Sequence, residues 1–277
     1  MARFDLSALP SDRSLLSGGF DYVTQRTVVV RGVRNEVGLR FDPNGLLWGV
    51  ENGADNLQRA DLGGDIHNDN PGEEVHRFGA VASDAGLVGR HYGYPFCWSE
   101  YELSAAAGGL GRGSQWSWPF FMNDGTHSDQ WCRDEGNNAR PHALMQAHTA
   151  PLDLAFYPNT ALYGSTAAPF AFPPHALGDY LFVAQHGSWN RQPAAGYRVV
   201  RFPLQESSGV LGVTGPAEPF LAYDSATGAH TGTGWSLRAV GLAVGSMGEM
   251  YITDDSPGSP SVVVVRYVVG LNQSAGQ

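Results

Sequence analysis

The sequence predicts an all-β fold of the β-propeller type. Three features of the 277-residue chain point to it. A strand–turn–strand unit recurs three times in the same internal order. The chain carries 36 glycines and 17 prolines between short apolar runs, the pattern of many turns and short strands. Little of the sequence reads as helix.

The first copy runs from Val37 through Gly38, Leu39, Arg40 and Phe41 to Asp42-Pro43-Asn44-Gly45, and on to Leu46, Leu47 and Trp48. The second is Leu152-Asp153-Leu154-Ala155-Phe156-Tyr157-Pro158-Asn159 through Leu162-Tyr163. The third is Val240-Gly241-Leu242-Ala243-Val244 through Gly248-Glu249-Met250-Tyr251-Ile252. Pro-Asn or Gly supplies the turn, and alternating apolar residues supply half-buried strands. Looser strands follow at Gly178–Ala184, Tyr197–Phe202 and Ser261–Tyr267. Repeated units of this kind stack radially as blades and bury their faces on their neighbours. A β-sandwich with coincidental hairpins gives no reason for three copies in one order. The boundaries are a partial propeller over 1–270 and a linker or frayed tail over 271–277.

Two polar, Gly-rich insertions separate the copies, Asn52 to Pro71 and Ser104 to Ala147, the second holding Trp116, Trp118, Trp131 and Cys132. Loops of this length usually serve a function, and on a propeller they crowd one face and wall a pocket.

The net charge of −10, with no cluster of Lys and Arg, argues against nucleic acid and other anionic surfaces as partners. No apolar run is long enough to cross a bilayer, and the N-terminus lacks the apolar stretch of a signal peptide. Cys97 and Cys132 form no Cys-x-x-Cys pair, which argues against a structural zinc site of that kind; one disulfide or two buried thiols both remain open. There is no nucleophile elbow, phosphate loop or dinucleotide fingerprint.

Three clusters carry the candidate chemistry. Arg34-Asn35 precedes the first repeat and offers a planar fork of donors beside an amide, suited to a carboxylated planar ligand or, more plainly, to a turn. Glu51-Asn52-Gly53-Ala54-Asp55 opens a loop rich in oxygen ligands: Asp61, Asp65, Asn68, Asp69, Asn70, Glu73 and Glu74. Its spacing is not that of an EF-hand, so a calcium site here rests on loop backbone, the alternative being a solvated acidic loop. His186-Gly187-Ser188-Trp189-Asn190-Arg191 sets an imidazole, an indole, an amide and a guanidinium after a buried strand, the density of a ligand-facing loop.

With Arg34 to Leu39, Glu51-Asn52-Gly53, Glu73-Glu74-Val75, His91-Tyr92-Gly93-Tyr94-Pro95-Phe96-Cys97-Trp98, Ala150 to Asp153 and His186 to Arg191 in this order, the chain resembles the soluble glucose/sorbosone dehydrogenases. More closely, it resembles the fungal pyrroloquinoline quinone (PQQ)-dependent pyranose dehydrogenases. The resemblance implies a six-bladed propeller, about four blades of it present here, with PQQ on the top face. It implies calcium as second cofactor and oxidation of a pyranose or sorbosone-type C–OH, with hydride passing to the quinone. Arg34, Asn35, His186, Trp189, Asn190, Arg191 and Arg238 would then contact PQQ, and the carbonyls of Gly53 and Ala54 would hold the calcium. The implied partners are a sugar substrate and an electron acceptor such as a haem domain or a dye. The resemblance also implies an extracellular protein and favours the Cys97–Cys132 disulfide.

Relatives extend further at the N-terminus, where the family's histidine base lies, and residues 1–33 contain no histidine. Ala239 also stands where many relatives have proline. The expectation is a truncated propeller with uncovered blade faces and little or no activity of its own. The competing reading is a non-catalytic propeller binding glycan or protein through Trp98, Trp116, Trp118 and Trp131.

Overall fold

The computed structural model describes residues 1–4, 21, 23–81, 88–157, 166–173, 179–222 and 237–268. The turn of the second copy from residue 158 and the tail at 271–277 lie outside the described residues. Short strands β1 (Ala2–Phe4) and β2 (Arg26–Val28) pair antiparallel, and β3 (Val30–Arg31) follows. The first repeat gives the hairpin β4 (Glu36–Phe41) and β5 (Leu47–Glu51). Asp42 makes its turn: Oδ1 accepts from the amides of Asn44 and Leu46, both at 2.9 Å, and Oδ2 from the Trp48 indole at 2.9 Å. Gly45 takes the left-handed φ of 80° that closes it.

The first insertion folds into β6 (Gln58–Arg59), β7 (Gly64–Asp65) and two 3-10 turns. The chain returns along β8 (Glu73–Gly79), and β9 (Arg90–His91) runs parallel to β3. In the second insertion β10 (Cys97–Ser99) pairs with β11 (Gln115–Ser117), and α1 (Asp129–Arg133) is capped by the Ser128 side chain. Its last residues do more than wall a loop: β12 (Ala143–Met145) pairs with β8 and completes a four-stranded sheet in the order β12-β8-β5-β4.

The second repeat opens β13 (Pro151–Phe156), which pairs with β14 (Tyr180–Gln185) and through it β15 (Arg198–Ser207). Strands β16 (Val210–Val213) and β17 (Glu218–Ala222) both pair with β15. The third repeat gives β18 (Ala239–Val244), β19 (Met250–Asp254) and β20 (Ser261–Val265). Each repeat thus opens a sheet with its innermost strand, and β13 lies in contact with both β4 and β18. This is the arrangement of consecutive propeller blades, and the fold is all-β as the repeats predict.

Strand β14 shows why the blades stack. Its side chains alternate between faces. Leu181 and Val183 join Trp48, Val50, Val75, Met145, Leu154 and Phe202 in the core between the first and second sheets. Phe182 and Ala184 join Val199, Leu242, Met250 and Ile252 between the second and third. Both faces are covered, so each large side chain contributes about 2–3 kcal/mol by leaving water. The outer faces of the arc differ: Val37, Leu39 and Phe41 on β4 and Val262 and Val264 on β20 are exposed.

Candidate functional site

The loops at one end of the inner strands build the site. Arg34, Asn35, Asn52, Gly53, Asp55, Glu73, His148, Ala150 and residues 187–190 line a solvent-open cleft of about 190 Å³. Of the residues singled out in the sequence, Arg34, Asn35, Gly53, Trp189 and Asn190 therefore come together. Ala54 lines an adjoining cavity that shares Arg34, Asn52 and Gly53 with the cleft.

Arg34 is held by the loop it faces. Its guanidinium donates to the Gly53 carbonyl at 2.8 Å and the Asn52 carbonyl at 3.3 Å, and pairs with Asp55 at 3.1 Å. The Asn52 amide side chain donates to the Pro151 carbonyl at 2.9 Å, tying this loop to the start of the second blade. Glu73 locks the same junction from below, accepting from the amides of Gly53 at 2.5 Å and Ala150 at 3.1 Å. Burial pushes the Glu73 carboxyl up to about 7, against the pull of those two amides. His148 and Ala150 both take left-handed φ values, 59° and 51°, a cost that non-glycine residues bear mainly at constrained sites.

His186, Arg191 and Arg238 do not line the cleft. His186 meets Asp255 at 2.8 Å and the Arg238 guanidinium at 3.2 Å, and Arg238 also reaches Asp255 at 3.3 Å. Slight burial opposes the Asp255 charge, but His186 and Arg238 outweigh it and hold its carboxyl below the usual range. Arg191 pairs with Asp69 at 2.6 Å and donates to the Pro193 carbonyl.

The acidic loop is spoken for residue by residue. Asp61 pairs with Arg59, Asp65 with His67 and Asp69 with Arg191. The Asn70 side chain accepts from the amides of Tyr101 and Glu102. Of the donors that the resemblance assigns to a cation, the Gly53 carbonyl, like the neighbouring Asp55 carboxylate, is engaged by the Arg34 guanidinium, so a hard cation bound by the Gly53 and Ala54 carbonyls would share or displace that contact. The cleft also suits a planar, carboxylated cofactor. The Asn190 Nδ2 donor is buried with no hydrogen-bond partner, Arg34 brings positive charge, and Trp189 exposes 75% of its surface at the rim.

One cleft residue escaped the sequence reading. His148 sits four residues before the second repeat, where proximity to an inner strand was its only signal. Glu73 was grouped with potential metal ligands, yet its oxygens are used by amides. The tryptophan reading needs correction at two of its four residues: Trp98 and Trp116 are 4% and 5% exposed and form the core of the insertions, while Trp118 and Trp131 are half-buried. The Trp98 and Trp116 indoles donate to the Ser117 carbonyl and the Glu100 carboxylate. Neither of these two offers a face to a sugar. Cys97 and Cys132 are disulfide-bonded.

The sequence matches the family model described as TrAA12-like over residues 1–267. It is 33% identical over 276 residues to the pyrroloquinoline quinone-dependent pyranose dehydrogenase of Coprinopsis cinerea, covering 94% of this chain and 34% of that protein. It is 31% identical over 243 residues to the pyrroloquinoline quinone-dependent sugar dehydrogenase of Hypocrea jecorina, covering 86% of this chain and 48% of that one. Among solved structures, the holo form of the pyranose dehydrogenase PQQ domain from Coprinopsis cinerea matches with a TM-score of 0.69 and 28% identity, over 88% of this chain and 56% of that chain. The calcium structure of a Trichoderma reesei family AA12 carbohydrate-active enzyme matches with a TM-score of 0.65 and 26% identity, over 86% of this chain and 53% of that chain. The chain thus spans less than half the length of these two sequence relatives. The family-model match covers nearly the whole chain, and on that ground the protein belongs to the TrAA12-like family.

Proposed function

We propose that this chain is the cofactor-binding part of a PQQ-dependent sugar dehydrogenase that oxidises a pyranose or sorbosone-type C–OH. The observation that carries the reading is the convergence of Arg34, Asn35, Trp189 and the unpartnered Asn190 amide on one cleft beside the Gly53–Ala54 carbonyls. When bound, PQQ supplies a two-electron acceptor and calcium a Lewis acid that polarises it.

The protein's own residues hold that chemistry in place. Arg34 offsets the charge of ligand carboxylates, and Asn35 and Asn190 offer amide donors to ring oxygens. Trp189 presents an aromatic face to a planar ring. Glu73 fixes the Gly53 amide, which sets how the carbonyls of this loop are presented. His186, Arg238 and Arg191 belong to the surrounding loops and act on the cleft through their positions. The electron acceptor is a haem domain or dye. An extracellular site of action is supported by the Cys97–Cys132 disulfide, since such bonds persist in oxidising compartments. No helix among the described residues is long and apolar enough to cross a membrane.

Calorimetric titration with PQQ, with and without Ca²⁺, tests the reading. Calcium-dependent binding is the expected result. A folded chain that binds no PQQ at any calcium concentration sinks it, and brings forward a propeller that binds glycan or protein.

A further inference from the structure

A second group of metal-ligating side chains lies under the Arg34 segment. His76 on β8 is fully buried, and its Nδ1 faces Glu36 Oε2 at 3.0 Å and Glu51 Oε2 at 3.7 Å. The side chains of Glu36 and Glu51 are only 4% and 7% exposed. One ligand atom from each of the three residues lies within 4.8 Å of the others, a spacing that a single cation can bridge.

Three further features separate this group from a chance acidic cluster. The other imidazole nitrogen, Nε2, is engaged by Glu74 Oε2 at 2.9 Å. A carboxylate in that place holds a histidine in the tautomer whose free nitrogen, here Nδ1, is available to a metal. Glu36 Oε1 is buried with no hydrogen-bond partner. The fold has made room for it, because His76 stands opposite Gly49 in the sheet, and a Cβ at Gly49 would lie 1.9 Å from that same oxygen. Finally, Glu51 and Glu74 line the cavity adjoining the cleft, which gives an ion a route in.

We propose that Glu36, Glu51 and His76 bind a divalent transition-metal ion of the zinc class, with Glu74 orienting the imidazole. One imidazole and two carboxylates suit zinc or manganese and not calcium, which takes oxygen ligands alone. The Glu51 carboxylate also accepts from the Arg34 backbone amide. A metal here therefore stiffens the segment from which Arg34 reaches the Gly53 carbonyl.

The test is a zinc titration of the full, folded chain saturated with Ca²⁺, read by calorimetry and repeated with Co²⁺ by visible absorption. One equivalent of zinc is expected to bind, and Co²⁺ is expected to give the spectrum of an imidazole–carboxylate site. His76→Gln and Glu36→Gln should each weaken zinc at least tenfold, and Glu74→Gln should weaken it less. Unfolding curves establish that each variant is folded. Wild-type chain that takes up no zinc overturns the proposal. So does zinc binding that H76Q and E36Q leave unchanged, or zinc that excess Ca²⁺ displaces, which would place the ion on the Gly53–Ala54 loop.

Discussion

Arg40 and Asp153 join three blades at the heart of the arc. The Arg40 guanidinium lies 3.1 Å from both Asp153 oxygens, and also donates to the carbonyls of Leu154 at 3.1 Å and Leu242 at 3.4 Å. Asp153 in turn accepts from the Leu242 amide at 2.9 Å and the Leu154 amide at 2.8 Å. One side chain on β4 and one on β13 thereby stitch β4, β13 and β18 together. The repeat explains the geometry: Asp153 replaces the glycine that the first and third copies carry as Gly38 and Gly241.

The two partners are unequal. The Arg40 side chain is 46% exposed and that of Asp153 18%. An exposed cation contributes little, whereas removing the carboxylate strips inner-strand amides of their acceptor. Asp153→Ala should cost about 2–3 kcal/mol and Arg40→Met under about 1 kcal/mol. Urea unfolding of both variants checks the order, and a larger loss from the arginine would refute it.

Gly38 should tolerate no side chain. A Cβ there would meet the Asp153 Cα at 2.8 Å and the Leu152 carbonyl at 3.0 Å, and both are backbone atoms of the neighbouring inner strand. Neither can swing aside, so the blades must part. Gly38→Ala should destabilise by more than about 2 kcal/mol. Gly45→Ala meets no atom within 4 Å and strains only the turn, where φ is 80°, so it should cost about 1 kcal/mol. Paired thermal melts compare the two.

The Cys97–Cys132 disulfide closes a loop with a sequence separation of 35. Chain entropy puts its contribution at about 3–4 kcal/mol. Reduction, or the Cys97→Ser/Cys132→Ser pair, should loosen the insertion around Trp98 and Trp116 before the blades. Near-ultraviolet circular dichroism of the indoles should therefore change at a lower urea concentration than the far-ultraviolet sheet signal.

His142 supplies an acid-side dependence. Burial, then the charge of Arg77, depresses its imidazole to about 4. Its Nε2 accepts from the Val213 amide at 3.0 Å, which requires the neutral ring. Above about pH 6.5 the ring is neutral folded and unfolded alike, and its contribution is fully present. Below that the unfolded chain takes up the proton first, so stability falls as pH drops from about 6.5 toward 4, by about 2 kcal/mol after allowance for partial exposure. His142→Gln keeps an acceptor without titrating. Its unfolding free energy should be flatter over that window than that of the wild type.

The blade hairpins were legible because a two-residue period and a turn signal are local properties. The Asp42 turn, for example, is spelled out within seven residues. The membership of β12 in the first blade was not legible. Ala143–Met145 pairs with Glu73–Val75 across a long insertion, and nothing near Ala143 announces a partner so distant. The cleft was half legible for the same reason. Arg34, Asn35, Trp189 and Asn190 carry unusual side chains at strand ends, which sequence displays. The engagement of His186 and Arg238 with Asp255, and of Glu73 with two amides, depends on which loops meet. The buried pair Trp98 and Trp116 misled because exposure of an indole cannot be read from its neighbours in sequence.

The cleft residues give the sharpest separation between a cofactor site and a mere surface hollow. Asn190 Nδ2 is buried and unpartnered, and Trp189 lies open to solvent. Neither supports the fold through a contact whose loss would be large. If PQQ occupies the cleft, Trp189→Ala loses a ring contact and Asn190→Ala loses a donor, each worth about 1–2 kcal/mol, or roughly tenfold in affinity. Asn190→Asp sets a negative charge where ligand oxygens should lie, and its loss should exceed that of the alanine variant. The same substitutions should leave the urea midpoint within experimental scatter. Calorimetry with PQQ and calcium, run beside unfolding curves, reads both sides of the comparison. Affinity falling in the order wild type, N190A, N190D at constant stability places the ligand in this cleft. Equal affinity across the three would remove Asn190 from the site and leave its buried amide without a role.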